Sequence, residues 1–203
     1  MNFLNEDDLK NLLQYLKNAD DMTHTSLIWT IALTGMRKGE AAALHWKDIN
    51  LKEGTINIYE TRDYLGQREA KTKNSIRLVE IDKNLCSLLD AYRKKVIEKK
   101  LEKGIQHSIN DHVFVNLITL RPIGRGLAGT ILNKAFENKI ISKKITPHGL
   151  RHTYATIMCA RGVPIPIVAK MIGDTPNTVI EYYAHSMKDK EKEAVQILSK
   201  VLF

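Results

Sequence analysis

Thr146-Pro147-His148-Gly149-Leu150-Arg151-His152-Thr153-Tyr154 is the stretch on which the fold turns. From Pro147 onward the apolar spacing is helical, and a separation of three puts His148 and Arg151 on one face, where both can reach one phosphate. Taken alone, a His-x-x-Arg pair is better read as a helix-terminal surface contact. Its surroundings change that reading. Upstream stands Thr34-Gly35-Met36-Arg37-Lys38-Gly39-Glu40, an arginine just beyond an apolar helix, with an acid three positions later that can orient the guanidinium. Downstream stands Thr178-Val179-Ile180-Glu181-Tyr182-Tyr183-Ala184-His185.

Working outward, Asn5 can cap a first helix carrying Leu9, Leu12, Leu13 and Leu16 on one face. Ser26 to Thr34 reads as a buried helix ended by Gly35, and Arg37 to Trp46 continues with Ala-rich helical composition. Thr55 to Tyr59 and Ile76 to Ile81 are β-like and joined by a polar loop containing Gly66, which predicts a small antiparallel sheet. Asp82 can cap a long helix through Leu85, Leu88, Leu89 and Tyr92, ended by Gly104; His112 to Asn116 reads as a further short strand. Beyond a Gly-rich turn, a helix runs through Ile131, Leu132, Ala135 and Phe136. Breaks at Gly162-Val163-Pro164, Gly173 and Thr175-Pro176 divide the last third, and Met187 to Phe203 is amphipathic. The expectation is an α+β fold, mainly α, forming one domain over residues 1–203.

With 203 residues, 43% of them hydrophobic, the chain can bury a core, and a net charge of +8 favours a polyanionic partner. Two cysteines in apolar surroundings, Cys86 and Cys159, predict buried thiols and a cytoplasmic setting. The near-apolar stretch around Ser26 to Met36 is too short to span a bilayer, so no membrane partner is expected. There is no GxxxxGK[ST], HExxH or CxxC motif, and no cofactor is expected. Gly124-Arg125-Gly126-Leu127-Ala128-Gly129 matches GxGxxG, but the ribose-binding acid about twenty residues on is missing. A turn opening a helix is the preferred reading.

The three boxes TGMRKGE, HGLRHTYAT and IGDTPNTVIEYYAH, in that order, resemble the signature boxes of the tyrosine recombinases, the phage-integrase family. The resemblance covers essentially the whole chain as the family's helical C-terminal catalytic domain, without the N-terminal core-binding domain that closes the clamp around DNA. It implies strand cutting by a tyrosine hydroxyl at double-stranded attachment sites of a phage or other mobile element. The products are a 3′-phosphotyrosyl enzyme and a free 5′-hydroxyl, formed without metal or ATP. It also implies a homo-oligomer, a tetramer, on DNA, with accessory DNA-bending proteins as possible partners and the Met187 to Phe203 segment docked on a neighbouring subunit or on its own domain.

Carried onto this sequence, the catalytic set is Arg37, Lys71, His148, Arg151 and Tyr183, with Glu40 and His185 in support. Cationic, bidentate arginines suit a diester on which charge builds, and His148 can accept a proton from the attacking tyrosine or hydrogen-bond to it. Lys71 is the expected donor to the leaving 5′-oxygen, with Lys73 its rival. The family's Tyr-x-His ending selects Tyr183; adjacent Tyr182 points about 100° away on a helix and is expected to pack or face solvent. Asp174 stands where the family carries His or Trp. Two readings are open: its carboxylate points away and helps cap the next helix, the favoured one, or it faces the phosphate and weakens activity. A noncatalytic DNA-binding relative is the alternative function, and a type IB topoisomerase is the alternative enzyme.

Overall fold

Thr146 begins the decisive helix: its hydroxyl accepts from the Gly149 amide at 3.2 Å and Pro147 takes the first helical position. In the computed structural model, which describes residues 3–64, 66–69 and 75–184, this helix is α6 (Pro147–Ala160). It follows α1 (Glu6–Lys17), α2 (Met22–Thr34), α3 (Lys38–Ala43), α4 (Lys83–Leu101) and α5 (Leu127–Glu137), and precedes α7 (Ile165–Ile172). Residues 176–184 are again helical.

Helix α2 is the centre of the larger core and packs against α1, α4, α5 and α6. Nine of its thirteen residues are buried, and its threonine hydroxyls are satisfied internally, while Ser26 Oγ has no partner among the described residues. Thr30 donates to the Ser26 carbonyl at 2.7 Å and Thr34 to the Thr30 carbonyl at 2.6 Å. Gly35 ends the helix in the left-handed region at φ 64°. A Cβ there would lie 2.7 Å from the Tyr154 ring and 2.8 Å from Ile172 Cγ2, so both the backbone and the space demand glycine. Gly35→Ala is expected to lower unfolding free energy by about 2–4 kcal/mol, read by chemical denaturation.

Strands β1 (Ile49–Asn50), β2 (Thr55–Ile58) and β5 (Arg77–Glu80) form an antiparallel sheet in the order β1-β2-β5. Ile56 faces Val79 and Ile58 faces Arg77 across the β2–β5 pair, so Arg77 sits on the inward face with both isoleucines. The polar loop predicted between the strands instead contains a hairpin, β3 (Glu60–Asp63) with β4 (Gly66–Glu69), held on α3 and by the Asp63–Arg68 ion pair. Its sequence lacks apolar alternation, which is why the pattern did not reveal it. His112 to Asn116 forms isolated bridges, His45 to His112 and Val115 to Pro122, in place of the predicted strand. Gly126 stands just before α5, and a Cβ on Gly124, Gly126 or Gly129 would meet nothing within 4 Å. All strand pairs among the described residues are antiparallel, so the GxGxxG match has none of its dinucleotide-binding context.

Helix α6 separates two apolar clusters. Leu150 belongs to the larger core, while Tyr154, Ala155 and Cys159 join Val168, Ala169, Ile172, Val179 and Tyr183 in the second. The first turn of α6 thus lies at the seam between them. Neither cysteine is in a disulfide; Cys159 is buried and Cys86 half-buried. No helix among the described residues is long and apolar enough to cross a membrane.

Candidate active site

Arg37 precedes α3, where the Glu40 carboxylate accepts from its backbone amide at 2.8 Å and from its Nη1 at 2.9 Å. Glu40 also takes two bonds from Arg77: Nη2 to Oε2 at 2.9 Å and Nη1 to Oε1 at 3.3 Å. Arg77 reaches across to α7 as well, donating from Nε to the Met171 carbonyl at 2.9 Å. One buried carboxylate therefore fixes two arginines from different elements. Arg77 was missed from sequence: it shares the inward face of β5 with Val79, and the carboxylate that pairs with it lies on another element.

Arg151 is 0% exposed. Its Nη1 donates to the carbonyls of Gly35 at 2.9 Å and Ile172 at 2.5 Å, which ties α6 to the ends of α2 and α7. Its Nη2 meets Asp174 Oδ2 at 2.8 Å, and Arg37 Nη2 reaches the same oxygen at 3.0 Å. Arg37 Nη2 also donates to the Gly173 carbonyl at 3.1 Å. The favoured expectation for Asp174 is therefore corrected: its carboxylate points into the site. Thr175 does the capping, its hydroxyl accepting from the Thr178 amide at 3.2 Å, while Asp174 Oδ1 accepts from the Thr175 amide at 3.0 Å. Two guanidinium groups attract a carboxylate far more strongly than one helix amide does.

Burial pushes the Glu40 carboxyl up, but hydrogen bonding and charge from Arg77 and Arg37 outweigh it and hold the group below the ordinary 4.5. Asp174 behaves alike: burial raises it, and Arg151 above all holds it below 3.8. Because both folded values lie below the unfolded ones, their stabilising effect is complete above about pH 4.5 and is lost as pH falls through the depressed values. Stability measured by denaturation should already decline below about pH 6.5, because burial holds His112 and His152 down at about 4 while their unfolded forms take up protons, and these carboxylates add a further fall below about pH 4.5.

His148 is exposed on the first turn of α6, and desolvation, followed by the charges of Arg151 and Arg37, lowers its pKa below 6.5. It is a neutral imidazole at pH 7. Its Nε2 lies 3.2 Å from the Tyr182 hydroxyl, and the Tyr182 ring lies 3.6 Å from that of His152, centroid to centroid. Tyr183 points the other way. It is 6% exposed within the second cluster, and its hydroxyl has no hydrogen-bond partner among the described residues. The expectation that Tyr182 packs while Tyr183 faces the site is thus inverted in this conformation, since the stripe Val179–Tyr183 is what the helix over 176–184 lays against α6 and α7. Lys71, Lys73, His185 and the segment Met187 to Phe203 lie outside the described residues.

Arg37, His148 and Arg151 line a cleft of about 510 Å³, with Thr61 and Arg62 from the unpredicted hairpin and Arg125 from the Gly-rich turn on its walls. Arg62 donates to the carbonyls of Ala42 and Ile123, fastening hairpin and turn together. The cleft is strongly cationic, concave and open to a chain-like anion.

The sequence profile of the phage integrase family matches residues 2–190. The chain is 28% identical to the integrase of Staphylococcus phage L54a, over all of this chain and 60% of that protein. It is 30% identical to a XerC-like tyrosine recombinase of Caldanaerobacter subterraneus, over 82% of this chain and 46% of that one. The ICEBs1 integrase of Bacillus subtilis is 29% identical, over 100% and 55%. The chain thus spans about half of the length of the curated relatives it matches. Among solved structures, XerA recombinase aligns with a TM-score of 0.73 at 22% identity, over 95% of this chain and 62% of that one. The Tn1549 transposon integrase in complex with transposon right end DNA aligns at 0.76 and 20%, over 97% and 66%. The fold is that of these tyrosine recombinases.

Proposed function

The chain belongs to the phage integrase family, and from that premise we propose that it cuts and rejoins DNA strands as the catalytic domain of a site-specific recombinase of a phage or other mobile element. The observation that carries this is the convergence of the Arg37 and Arg151 Nη2 groups on one oxygen, both arginines lining a cationic cleft together with His148. A nonbridging phosphate oxygen makes the same demand as the carboxylate oxygen now there.

In this reading Tyr183 Oη attacks phosphorus, its proton passes toward neutral His148, and the P–O5′ bond breaks as Lys71 protonates the departing oxygen. Glu40 holds Arg37 in place, and His185 supports the tyrosine. Bond energy is retained in the phosphotyrosyl link, so ATP has no role, and charge on the phosphoryl oxygens is met by the arginines. Tyr183 is assigned by its Tyr-x-His position and reaches the site when its helix turns by about 100°. Attachment-site DNA, a tetramer on it, accessory DNA-bending proteins and a cytoplasmic setting complete the proposal.

The deciding experiment is a duplex nicked close to the cut site, from which the short 5′-hydroxyl fragment diffuses away and traps the adduct. A covalent protein–DNA species supports strand transfer. DNA binding without an adduct supports a noncatalytic relative, the reading favoured by the buried Tyr183 and by Asp174 on the arginines. Binding itself is expected to rest on phosphates, given the net charge of +8. Neutralising about 5 phosphates would give a slope near −4.5 in log affinity against log salt. A titration from 50 to 200 mM salt checks this, and a near-zero slope counts against it.

A further inference from the structure

The donors that face the cleft are already occupied. Arg151 directs Nη1 to the carbonyls of Gly35 and Ile172, and Arg37 directs Nη1 to Glu40, which leaves the two Nη2 groups for a ligand. Both are on Asp174 Oδ2, at 2.8 and 3.0 Å. A phosphodiester cannot take these donors while the carboxylate keeps them, and its charge would be repelled by it. Within the cluster, Glu40 and Asp174 reduce the three positive charges of Arg37, Arg77 and Arg151 to a net single one.

Asp174 also sits at a joint. It follows Gly173, the left-handed cap of α7 at φ 70°, and directly precedes Thr175, which caps the helix over 176–184. Its backbone amide donates to the Ala169 carbonyl at 2.9 Å, and its Oδ1 accepts from the Thr175 amide at 3.0 Å. The same carboxylate therefore holds the arginines with one oxygen and the start of the tyrosine-bearing helix with the other. That helix carries Tyr182 on His148 and Tyr183 in the second cluster, about 100° apart. A turn of about 100° that withdraws Asp174 would bring Tyr183 to the azimuth of Tyr182 and carry Tyr182 off His148. Tyr183, whose buried hydroxyl is unpartnered among the described residues, gains a polar partner by leaving.

We propose that Asp174 is the resting occupant of the phosphate subsite, an internal anion that a tetrahedral oxyanion must displace, and that its displacement releases Tyr183 toward the site. This rests on the strand-transfer reading for its purpose, but its test does not need cleavage. Inorganic phosphate is the probe, with the full chain, and tyrosine nitration mapped by peptide mass spectrometry is the readout. Exposed Tyr64 serves as the internal standard.

Without phosphate, Tyr183 should nitrate far more slowly than Tyr64. Saturating phosphate should raise the Tyr183 rate roughly tenfold. Asp174→Asn, which keeps the shape and removes the charge, should bind phosphate roughly tenfold more tightly than the wild-type chain, because the competing closed state is lost. Equal phosphate affinity in the two proteins overturns the proposal, and so does a Tyr183 that stays protected in the phosphate-saturated wild-type chain. The wild-type arm decides the matter even if the variant misfolds. Failure to form adducts on nicked DNA would remove the strand-transfer reading while leaving both of these readouts as they are.

Discussion

Tyr183→Phe is expected to abolish covalent attachment to a nicked duplex altogether, while Tyr182→Phe retains it. The attacking oxygen is the one atom the phenylalanine lacks, and no neighbouring group replaces a missing nucleophile. Folding should be unharmed, since the hydroxyl removed is buried without a partner among the described residues; stability should stay level or rise by about 1 kcal/mol. That separation makes the variant informative: a folded, DNA-binding protein that forms no adduct. Tyr182→Phe loses the 3.2 Å contact to His148 Nε2 and should change the cleavage rate by less than about tenfold, the worth of one modest hydrogen bond. Peptide mapping of the wild-type adduct completes the test, and DNA on Tyr182 would overturn the assignment of Tyr183.

Arg151→Ala should be the most damaging change at the phosphate position. Loss of one preorganised donor to a developing oxyanion costs about 10²–10³ in rate. The structural penalty comes on top, because this fully buried guanidinium ties together the Gly35 and Ile172 carbonyls and Asp174. Removing one partner of such a pair lowers stability by about 3–5 kcal/mol. Arg151→Lys separates the two effects. It keeps a positive charge near Asp174 but not the fork that serves three acceptors, so it should recover part of the stability and little of the rate. Single-turnover cleavage and denaturation, measured on the same preparations, give the comparison; near-normal cleavage by Arg151→Ala would remove it from phosphate binding.

Local pattern made the helices and the β2–β5 pair legible. Their signals are contained within a few residues: Asn5 before an amphipathic run, Asp82 before α4, Thr146-Pro147 before α6, and alternating residues that put Ile56 and Ile58 inward. The β3–β4 hairpin was not legible, because Glu60 to Glu69 has no alternation of apolar and polar side chains, Leu65 being its one aliphatic residue, and the hairpin is held by strand pairing and by α3.

The sequence by itself picked out three of the residues that meet in the cleft. The boxes around Arg37, His148 and Arg151 carry their chemistry in residue type and short spacing, and these three side chains do line one cleft. Tertiary structure alone decided which way the remaining groups face. Arg77 turns inward because Glu40, 37 positions away, offers it a buried carboxylate. Asp174 turns inward because Arg37 and Arg151, 137 and 23 positions away, converge on one of its oxygens. Tyr182 and Tyr183 are neighbours of identical chemistry, so which of them meets His148 depends on the azimuth at which their helix docks on α6 and α7, and that angle is set by packing between elements distant in the chain.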